Sequence, residues 1–327
     1  MKRAFLILGL LVPVLAAASL QFGVHYTSPA EVWRALTVGG DDQAALIVTT
    51  LRVPRTIIAV LVGAGLGLSG LLMQTVTRNP LAEPGLLGIN AGAAFAAVLM
   101  VTLLGIEAPL PLTLAACAGA LTTATLIYCM AWLGNDSASP LHLLLAGLVM
   151  MALLTSGVQV ALVSSERAME ELLFWLSGAF TNGQVALLLP AALIMGTIAA
   201  CCVFSSRLLD VLTADDATAG ALGVPVVAAR GTAFAAAAIL AGISVALAGS
   251  VNFVGLAAPH LARRLGARSH IRLIPLSMLA GASLALAADI ASRFLIYPAQ
   301  APVGAVLAMI GVPVLLMLLR RKGTAAA

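Results

Sequence analysis

The chain has 327 residues, of which 61% are hydrophobic and only 9% charged, and its net charge is +4. A soluble domain carries about 25% charged residues, so the composition excludes an ordinary soluble protein. A membrane-spanning helix uses about 20 apolar residues, which leaves room for roughly ten spans. Long apolar runs such as 183–204 and 231–249 do not alternate as the strands of a membrane barrel do. We therefore predict an all-α polytopic membrane protein with a single transmembrane domain over residues 1–327.

The residue types exclude several functions. No basic run with interleaved aromatic residues is present, so nucleic-acid binding has no support. The four cysteines lie in apolar stretches without metal-site spacing, which predicts packing and no metal site. A Walker A motif needs a lysine, and the lysines are Lys2 and Lys322, at the two tails. This chain therefore cannot hydrolyse ATP by a P-loop mechanism of its own. We also predict that it binds no cofactor itself.

The first apolar stretch, 4–22, follows Lys2-Arg3 and imitates a signal peptide. It is longer than the 7–15 residues of a signal h-region, so we predict a retained first span, with residues 1–50 forming this span and an outer segment. The other predicted spans follow at 55–76, 86–104, 110–132, 141–163, 185–205, 231–249, 253–266, 273–296 and 304–319.

Basic residues predict the orientation, because they concentrate in cytoplasmic loops. Twelve of the 17 basic residues fall on one side when alternate loops are counted from a cytoplasmic N-terminus. We therefore predict that both termini are cytoplasmic. The five on the opposite, outer side are Arg34, Arg52, Arg55, Arg167 and Arg293.

Two segments are too short or too polar to cross, and they predict helices on the outer surface. Residues 28–38 begin with Ser28-Pro29, and Glu31 completes a capping box. Residues 166–178 mix glutamates with leucine, phenylalanine and tryptophan.

The second span begins with Arg52-Val53-Pro54-Arg55. Proline disfavours a helical conformation in the preceding residue, so we expect Val53 to be extended and the two arginines to stand at the outer surface. They would either anchor the chain at lipid headgroups or dock an acidic partner.

The same span contains the glycine-rich run Gly63–Gly70. Small residues let helix backbones approach closely, which predicts tight packing. A remote alternative is an intramembrane serine protease that uses Ser69 as nucleophile with His142 or His260 as base.

Two interrupted segments have a similar order of residues. Residues 78–92 and 249–260 each follow a glycine-rich span and contain an asparagine and a proline. Broken backbone within a membrane has to line a cavity or be covered by protein. The two units would run in opposite directions, so we predict an inverted repeat of two halves, which is typical of transporters.

Two further features concern charged residues. In the predicted cytoplasmic loop 206–229, the sequence after Thr213 predicts a short helix that ends at Gly223-Val224-Pro225, either as a contact for a cytoplasmic partner or as a linker.

Asp289 and Arg293 are one helical turn apart, which predicts an ion pair that lets the ninth span carry a charge.

Seven motifs occur in order between about residues 50 and 320: Arg52-Val53-Pro54-Arg55; Ser69-Gly70 with Gln74; Asn79-Pro80-Leu81-Ala82-x-Pro84-Gly85-x-Leu87-Gly88; Leu222-Gly223-Val224; Phe253-Val254-Gly255-Leu256 with Pro259-His260 and Arg263; Asp289 with Arg293; and Pro302-Val303-Gly304. This combination resembles the permease subunits of bacterial ABC importers for iron-siderophores, haem and cobalamin, the FecCD type.

The resemblance implies partners and roles. The chain would pair with a second permease subunit, as a homodimer or a heterodimer, in the lipid of the bacterial inner membrane. A cytoplasmic ABC ATPase dimer that uses ATP and Mg would lie below the pair, and a periplasmic substrate-binding protein above it. Arg52, Arg55 and Arg293 would dock the binding protein. The ATPase would contact Asp215, Asp216, Gly220, Leu222, Gly223 and Val224, and Asn79, Leu81, Ser139 and Pro140 would form gates.

The cargo implied by the resemblance is a ferric-siderophore-type chelate, with haem or cobalamin as alternatives. Three positions depart from the family pattern. Gln300 replaces a glutamate, Ser269 an aspartate and Asp215 a glycine. Because the acid is lost at Gln300, we expect less negative charge near Arg293 than in the family pattern.

Overall fold

The computed structural model describes residues 2–23, 25–133, 140–164, 178–180, 185–214, 216–296 and 299–320. Within these ranges every regular secondary-structure element is a helix, as predicted. The helices are α1 (Lys2–Gln21), α2 (Pro29–Thr37), α3 (Gln43–Val76), α4 (Ile89–Leu104), α5 (Pro109–Leu133), α6 (Pro140–Val163), α7 (Val185–Phe204), α8 (Ser206–Leu212), α9 (Asp216–Ala221), α10 (Val226–Ala248), α11 (Val254–Arg264), α12 (His270–Leu295) and α13 (Val303–Arg320).

Seven helices in the described ranges are long and apolar enough to cross a membrane, namely α1, α3, α5, α6, α7, α10 and α12. The predicted spans at 86–104 and 304–319 correspond to the shorter apolar helices α4 and α13. The predicted span at 253–266 is α11, which has 11 residues. At 1.5 Å per residue it is about 16 Å long, about half of a bilayer core, so α11 cannot cross alone.

Helix α3 lies at the centre and packs against α10, α11 and α12. Glycines allow two of these contacts. A Cβ atom on Gly63 would lie 2.4 Å from the carbonyl oxygen of Gly281 in α12, and one on Gly70 would lie 1.9 Å from that of Gly255 in α11. Both distances are too short for atoms that are not bonded to each other. The glycine-rich run therefore allows close helix packing, as predicted from its small residues.

The outer end of α3 corrects one prediction. Val53 is helical, with φ −62° and ψ −53°, and is not extended. The preceding residues Ile47–Arg52 form a π-helix, in which the N–H of Val53 donates to the carbonyl of Val48, five residues earlier. Pro54 has no N–H, and its ring crowds the carbonyl four residues before it. The wider π turn accommodates the proline without ending the helix.

The predicted surface helix at 28–38 is α2. Ser28 Oγ accepts from the N–H of Glu31, and the Glu31 carboxylate accepts from the N–H of Ser28, so the capping box is present. These bonds lower the pKa of Glu31 below its ordinary value. Val32 and Ala35 are buried, whereas Trp33 is exposed. The other predicted surface helix, apart from Gly178, lies outside the described residues.

Charged side chains gather at two ends of the helix bundle, in agreement with the alternation of basic residues along the sequence. One group, which we call the outer cluster, consists of Arg52, Arg55, Asp289 and Arg293. The other, which we call the inner cluster, consists of Arg78, Asp216 and Arg230.

Candidate functional site

Asp289 is the centre of the outer cluster, and its side chain is fully buried. Its Oδ1 accepts from Nε of Arg55 at 2.7 Å, and its Oδ2 accepts from Nη2 of Arg293. The ion pair between Asp289 and Arg293 is therefore present, and Arg55 adds a second cation from 234 residues earlier. Two buried guanidinium groups depend on this carboxylate.

The outer cluster also holds the end of α1. Arg293 Nη1 donates to the carbonyls of Ser19 and Phe22, both at 2.6 Å. Arg52 Nη1 donates to the carbonyl of Leu20 at 2.7 Å. The last carbonyls of a helix have no partner within it, so these two arginines cap α1 and attach it to α3 and α12.

The three predicted docking arginines are brought together, although they are far apart in the sequence. Arg52, Arg55 and Arg293 are between 3% and 8% exposed. They line a cavity of about 280 Å³ together with Gly23, His25, Ile47, Leu51 and Gln300. Their guanidinium groups bond to the chain itself, so docking by these arginines stays a prediction. The cavity they line is nevertheless rich in positive charge.

Gln300 has a defined partner in the outer cluster. Its Oε1 accepts from Nη1 of Arg55 at 2.5 Å. The resemblance leads us to expect a glutamate here. The neutral amide keeps a hydrogen-bond acceptor for Arg55 but supplies no negative charge, which leaves Asp289 to compensate the arginines.

The predicted gate residues Asn79 and Leu81 lie in the loop between α3 and α4. Asn79 Oδ1 accepts from the N–H of Leu81 at 3.0 Å, which closes a tight turn. Leu81 is 36% exposed. Of the second predicted gate, Ser139 lies outside the described residues and Pro140 begins α6. The gate role of all four residues stays a prediction.

Glu83, in the same loop, is a residue that the sequence analysis did not single out. It is 4% exposed, and its Oε2 accepts from the N–H of Phe253 at 3.1 Å. Phe253 has a positive φ of 70° and is the N-cap of α11. Carboxylates are favourable at a helix N-terminus because its first N–H groups are unpaired. Glu83 from the first half therefore caps a helix of the second half.

The two interrupted segments also meet directly. Asn90 Nδ2 donates to Oδ1 of Asn252 at 2.9 Å. Asn90 Nδ2 also lies 3.4 Å from the carbonyl oxygen of Val251, to which it donates. A side chain of the first segment therefore satisfies a backbone group of the second in an apolar environment. Their relation as an inverted repeat stays a prediction.

The inner cluster joins the predicted cytoplasmic loop to the membrane helices. Asp216 Oδ1 accepts from Nη2 of Arg230 at 2.6 Å and also from Nη2 of Arg78. Partial burial alone would raise the pKa of Asp216, but the hydrogen bonds and charges of Arg230 and Arg78 outweigh it and lower this pKa below its ordinary value. Asp216 is therefore ionised at neutral pH.

The predicted short helix after Thr213 is α9, and it ends in a turn at Gly223, whose φ is +78°. The N–H of Val224 donates to the carbonyl of Ala219 at 3.2 Å and completes this turn. Leu222 is 66% exposed, and Gly220 and Gly223 are also exposed. Asp215 lies outside the described residues, and the ATPase contact stays a prediction.

A second carboxylate, Asp210 of α8, binds the start of α12. Its Oδ1 accepts from the backbone N–H of His270 at 2.8 Å and lies 2.6 Å from His270 Nδ1. His270 Nε2 is hydrogen-bonded to Thr75 Oγ1 of α3. Ser269, at the N-cap of α12, makes no side-chain cap. Asp210 therefore supplies the carboxylate that the resemblance leads us to expect at position 269.

Ser69 is fully buried, and its hydroxyl donates to the carbonyl of Ala237 at 2.6 Å. A serine nucleophile needs a base that accepts its proton, whereas here a backbone carbonyl accepts it. His260, one of the two proposed bases, has its Nδ1 2.9 Å from the carbonyl oxygen of Leu256. The geometry supports helix packing, and it gives the protease alternative no support.

Comparison with models of protein families identifies the family of this chain. The model of the FecCD transport family matches residues 10–321. The chain belongs to the FecCD transport family. The FecCD match includes every motif quoted from the sequence, from Arg52 to Gly304. The chain is therefore a multi-pass membrane permease, as predicted.

Individual FecCD-type relatives cover nearly the whole chain. The ferric enterobactin transport system permease protein FepD of Escherichia coli (strain K12) is 37% identical over 98% of this chain and 96% of its own. The Fe(3+)-citrate import system permease protein YfmD of Bacillus subtilis (strain 168) is 36% identical over 93% and 90%. A solved structure described as a metal-chelate type ABC transporter in an inward-facing conformation matches with a TM-score of 0.84 and 29% identity, over 98% of this chain and 99% of that chain.

Proposed function

We propose that this chain is the membrane-spanning subunit of an ATP-driven importer that moves a ferric chelate of siderophore type into the cytoplasm. The observation that carries the proposal is the family match over residues 10–321, together with relatives named for ferric enterobactin and ferric citrate. These relatives favour a ferric chelate over haem or cobalamin as cargo.

The proposed assembly contains two permease subunits in the inner membrane, two ABC ATPase subunits on the cytoplasmic side and one periplasmic binding protein. ATP and Mg belong to the ATPase subunits. ATP binding and hydrolysis would move α9, and the segments at Asn79-Leu81 and Ser139-Pro140 would open and close in turn. The binding protein would supply the specificity, and the permease would supply the path.

Uptake by the reconstituted importer tests this proposal. Proteoliposomes containing both permease subunits, the ATPase and the binding protein are expected to accumulate a radiolabelled ferric siderophore only when ATP is available to the ATPase. Omission of the ATPase or of the binding protein is the control. ATP-dependent accumulation of haem or cobalamin, without accumulation of ferric siderophores, would show that the cargo is wrong. Ferric uptake without the ATPase would overturn the proposal as a whole.

Docking at the outer cavity needs a test that leaves the outer cluster intact. Replacement of Arg52 or Arg55 would break buried hydrogen bonds, so a loss of activity would have two explanations. Leu51 also lines the cavity and is 64% exposed. We predict that Leu51→Glu repels an acidic binding protein and raises its half-maximal concentration for ATPase stimulation about fivefold, equal to about 1 kcal/mol.

Leu51→Gln is the matched control, because a glutamine side chain is nearly the same size as that of glutamate and carries no charge. It is expected to retain a half-maximal concentration near that of the wild type. The difference between the two variants should shrink as salt rises, because exposed charges are screened. Equal behaviour of the two variants at low salt would argue against docking of an acidic partner at this cavity.

A further inference from the structure

The inner cluster connects the segment proposed to contact the ATPase with the segment proposed to form a gate. Asp216 is the first residue of α9. Its carboxylate is directed back toward the helix bundle, where Oδ1 accepts from both Arg78 and Arg230. The oxygen that makes both bonds is therefore occupied within this chain, whereas Leu222 at the other end of the segment is exposed.

Arg78 fixes the start of the gate segment. It is one of two described residues other than glycine with a positive φ, at 49°. Its Nε donates to the carbonyl of Leu212, the last residue of α8, at 3.1 Å. The next residue, Asn79, begins the turn that holds Leu81. The position of this turn is therefore linked through Arg78 to both α8 and α9.

Arg230 supplies a fixed point for the same carboxylate. It is 2% exposed and lies in the first turns of α10, which packs along α3. A buried guanidinium group is costly without a paired carboxylate. Loss of Asp216 would therefore affect Arg230 and Arg78 together, since both donate to one oxygen atom.

We infer that Asp216 is a positioning residue that transmits movement of α9 to the Asn79-Leu81 segment through Arg78, with Arg230 as the fixed support. The inference rests on the proposed function, because it names the residues within the permease that connect the ATPase contact with the gate segment. In this role Asp216 acts within the permease, and Leu222 and its exposed neighbours make the external contact.

The test compares transport with ATP hydrolysis in the complete reconstituted importer. Asp216→Asn keeps the side-chain size and removes the charge. We expect the amount of ferric chelate transported per ATP hydrolysed to fall at least about fivefold, the lower end of typical coupling between two sites. Asp216→Glu should restore much of this ratio. Asp42→Asn is the matched control, because Asp42 is also paired with an arginine, Arg34, and its side chain is 44% exposed, close to the 43% of Asp216.

Arg78→Gln provides a second variant that leaves the Asp216–Arg230 pair in place. It is expected to lower the same ratio. If transport and ATP hydrolysis fall in proportion in both variants, Asp216 contributes to ATPase contact or assembly and the inference is wrong. An unchanged ratio in both variants also overturns it. Failure of the proposed function is distinct, because wild-type complexes would then show no ATP-dependent uptake of ferric chelate.

A labelling experiment gives a readout that does not depend on the cargo. In a variant without the four native cysteines, Leu81→Cys is treated with a maleimide from the cytoplasmic side, with and without ATP and vanadate. We expect ATP and vanadate to change the labelling rate when Asp216 is present. When the same protein also carries Asp216→Asn, we expect the labelling rate to be the same with and without nucleotide. A nucleotide response that survives Asp216→Asn would contradict the inference.

Discussion

Asp289→Ala is expected to lower the free energy of unfolding by about 3–5 kcal/mol, because breaking a buried ion pair leaves an uncompensated charge. Asp289 is 0% exposed and binds both Arg55 and Arg293. Its loss would leave two guanidinium groups buried with no carboxylate between them. The thermal midpoint of the purified protein in detergent and the yield of folded protein measure the effect.

Asp42→Ala is the control for this prediction. Asp42 forms an ion pair with Arg34, but the two side chains are 44% and 62% exposed. Exposed pairs contribute about 0–1 kcal/mol, so the control should unfold close to the wild type. The structural role of Asp289 would be refuted if the two variants lost similar stability.

Gly70→Ala is expected to destabilise the protein by about 3 kcal/mol, the upper part of the usual range for overpacking. The added Cβ would lie 1.9 Å from the carbonyl oxygen of Gly255 and 2.5 Å from its Cα. Both are backbone atoms, so no side-chain rotation relieves the clash, and α3 and α11 would have to separate. The measurement is again the thermal midpoint, with ferric uptake in proteoliposomes as a second readout.

Gly196→Ala in α7 is the matched control, because a Cβ atom on Gly196 would meet no atom of the described residues within 4 Å beyond its own stretch of helix. Alanine favours a helix over glycine by about 1 kcal/mol in water, so the control should be at least as stable as the wild type. A Gly70→Ala protein with the stability of this control would show that α3 and α11 are not in tight contact.

The helices and the distribution of charge could be predicted from the sequence, because lipid imposes both. A bilayer forces backbone hydrogen bonds inside each span, so long apolar runs had to be helices. Basic residues resist transfer across the membrane, so their alternation predicted which helix ends share a side. The capping box of Ser28 and Glu31 is also a local pattern, visible over four residues.

The partners of the charged residues could not be predicted in the same way. Arg52 donates to the carbonyl of Leu20, and every residue carries a carbonyl, so no sequence signal marks that acceptor. Glu83 and Phe253 are 170 residues apart, and their contact depends on how two loops fold between helices. Sequence periodicity describes which face of a helix is apolar, but it does not describe which distant side chain meets that face.

Asp216 shows the same limit at the level of function. A carboxylate at the start of a short cytoplasmic helix suggested a partner contact. In the structure that carboxylate binds Arg78, which is 138 residues away, and Arg230. The direction of a side chain relative to the bundle decides between an internal and an external role, and this direction follows from tertiary packing.

The Asp289 contact has a consequence for biosynthesis. Arg55 is made 234 residues before the carboxylate that binds it. At about 5–20 residues per second during synthesis, α3 waits about 10–50 s for this partner. Arg293 is likewise made 274 residues after Ser19, the residue at the end of α1 whose carbonyl it binds. The amino-terminal helices therefore enter the membrane with these bonds unmade, and the outer cluster closes only when α12 arrives, so a nascent chain that stops before α12 retains an uncompensated arginine.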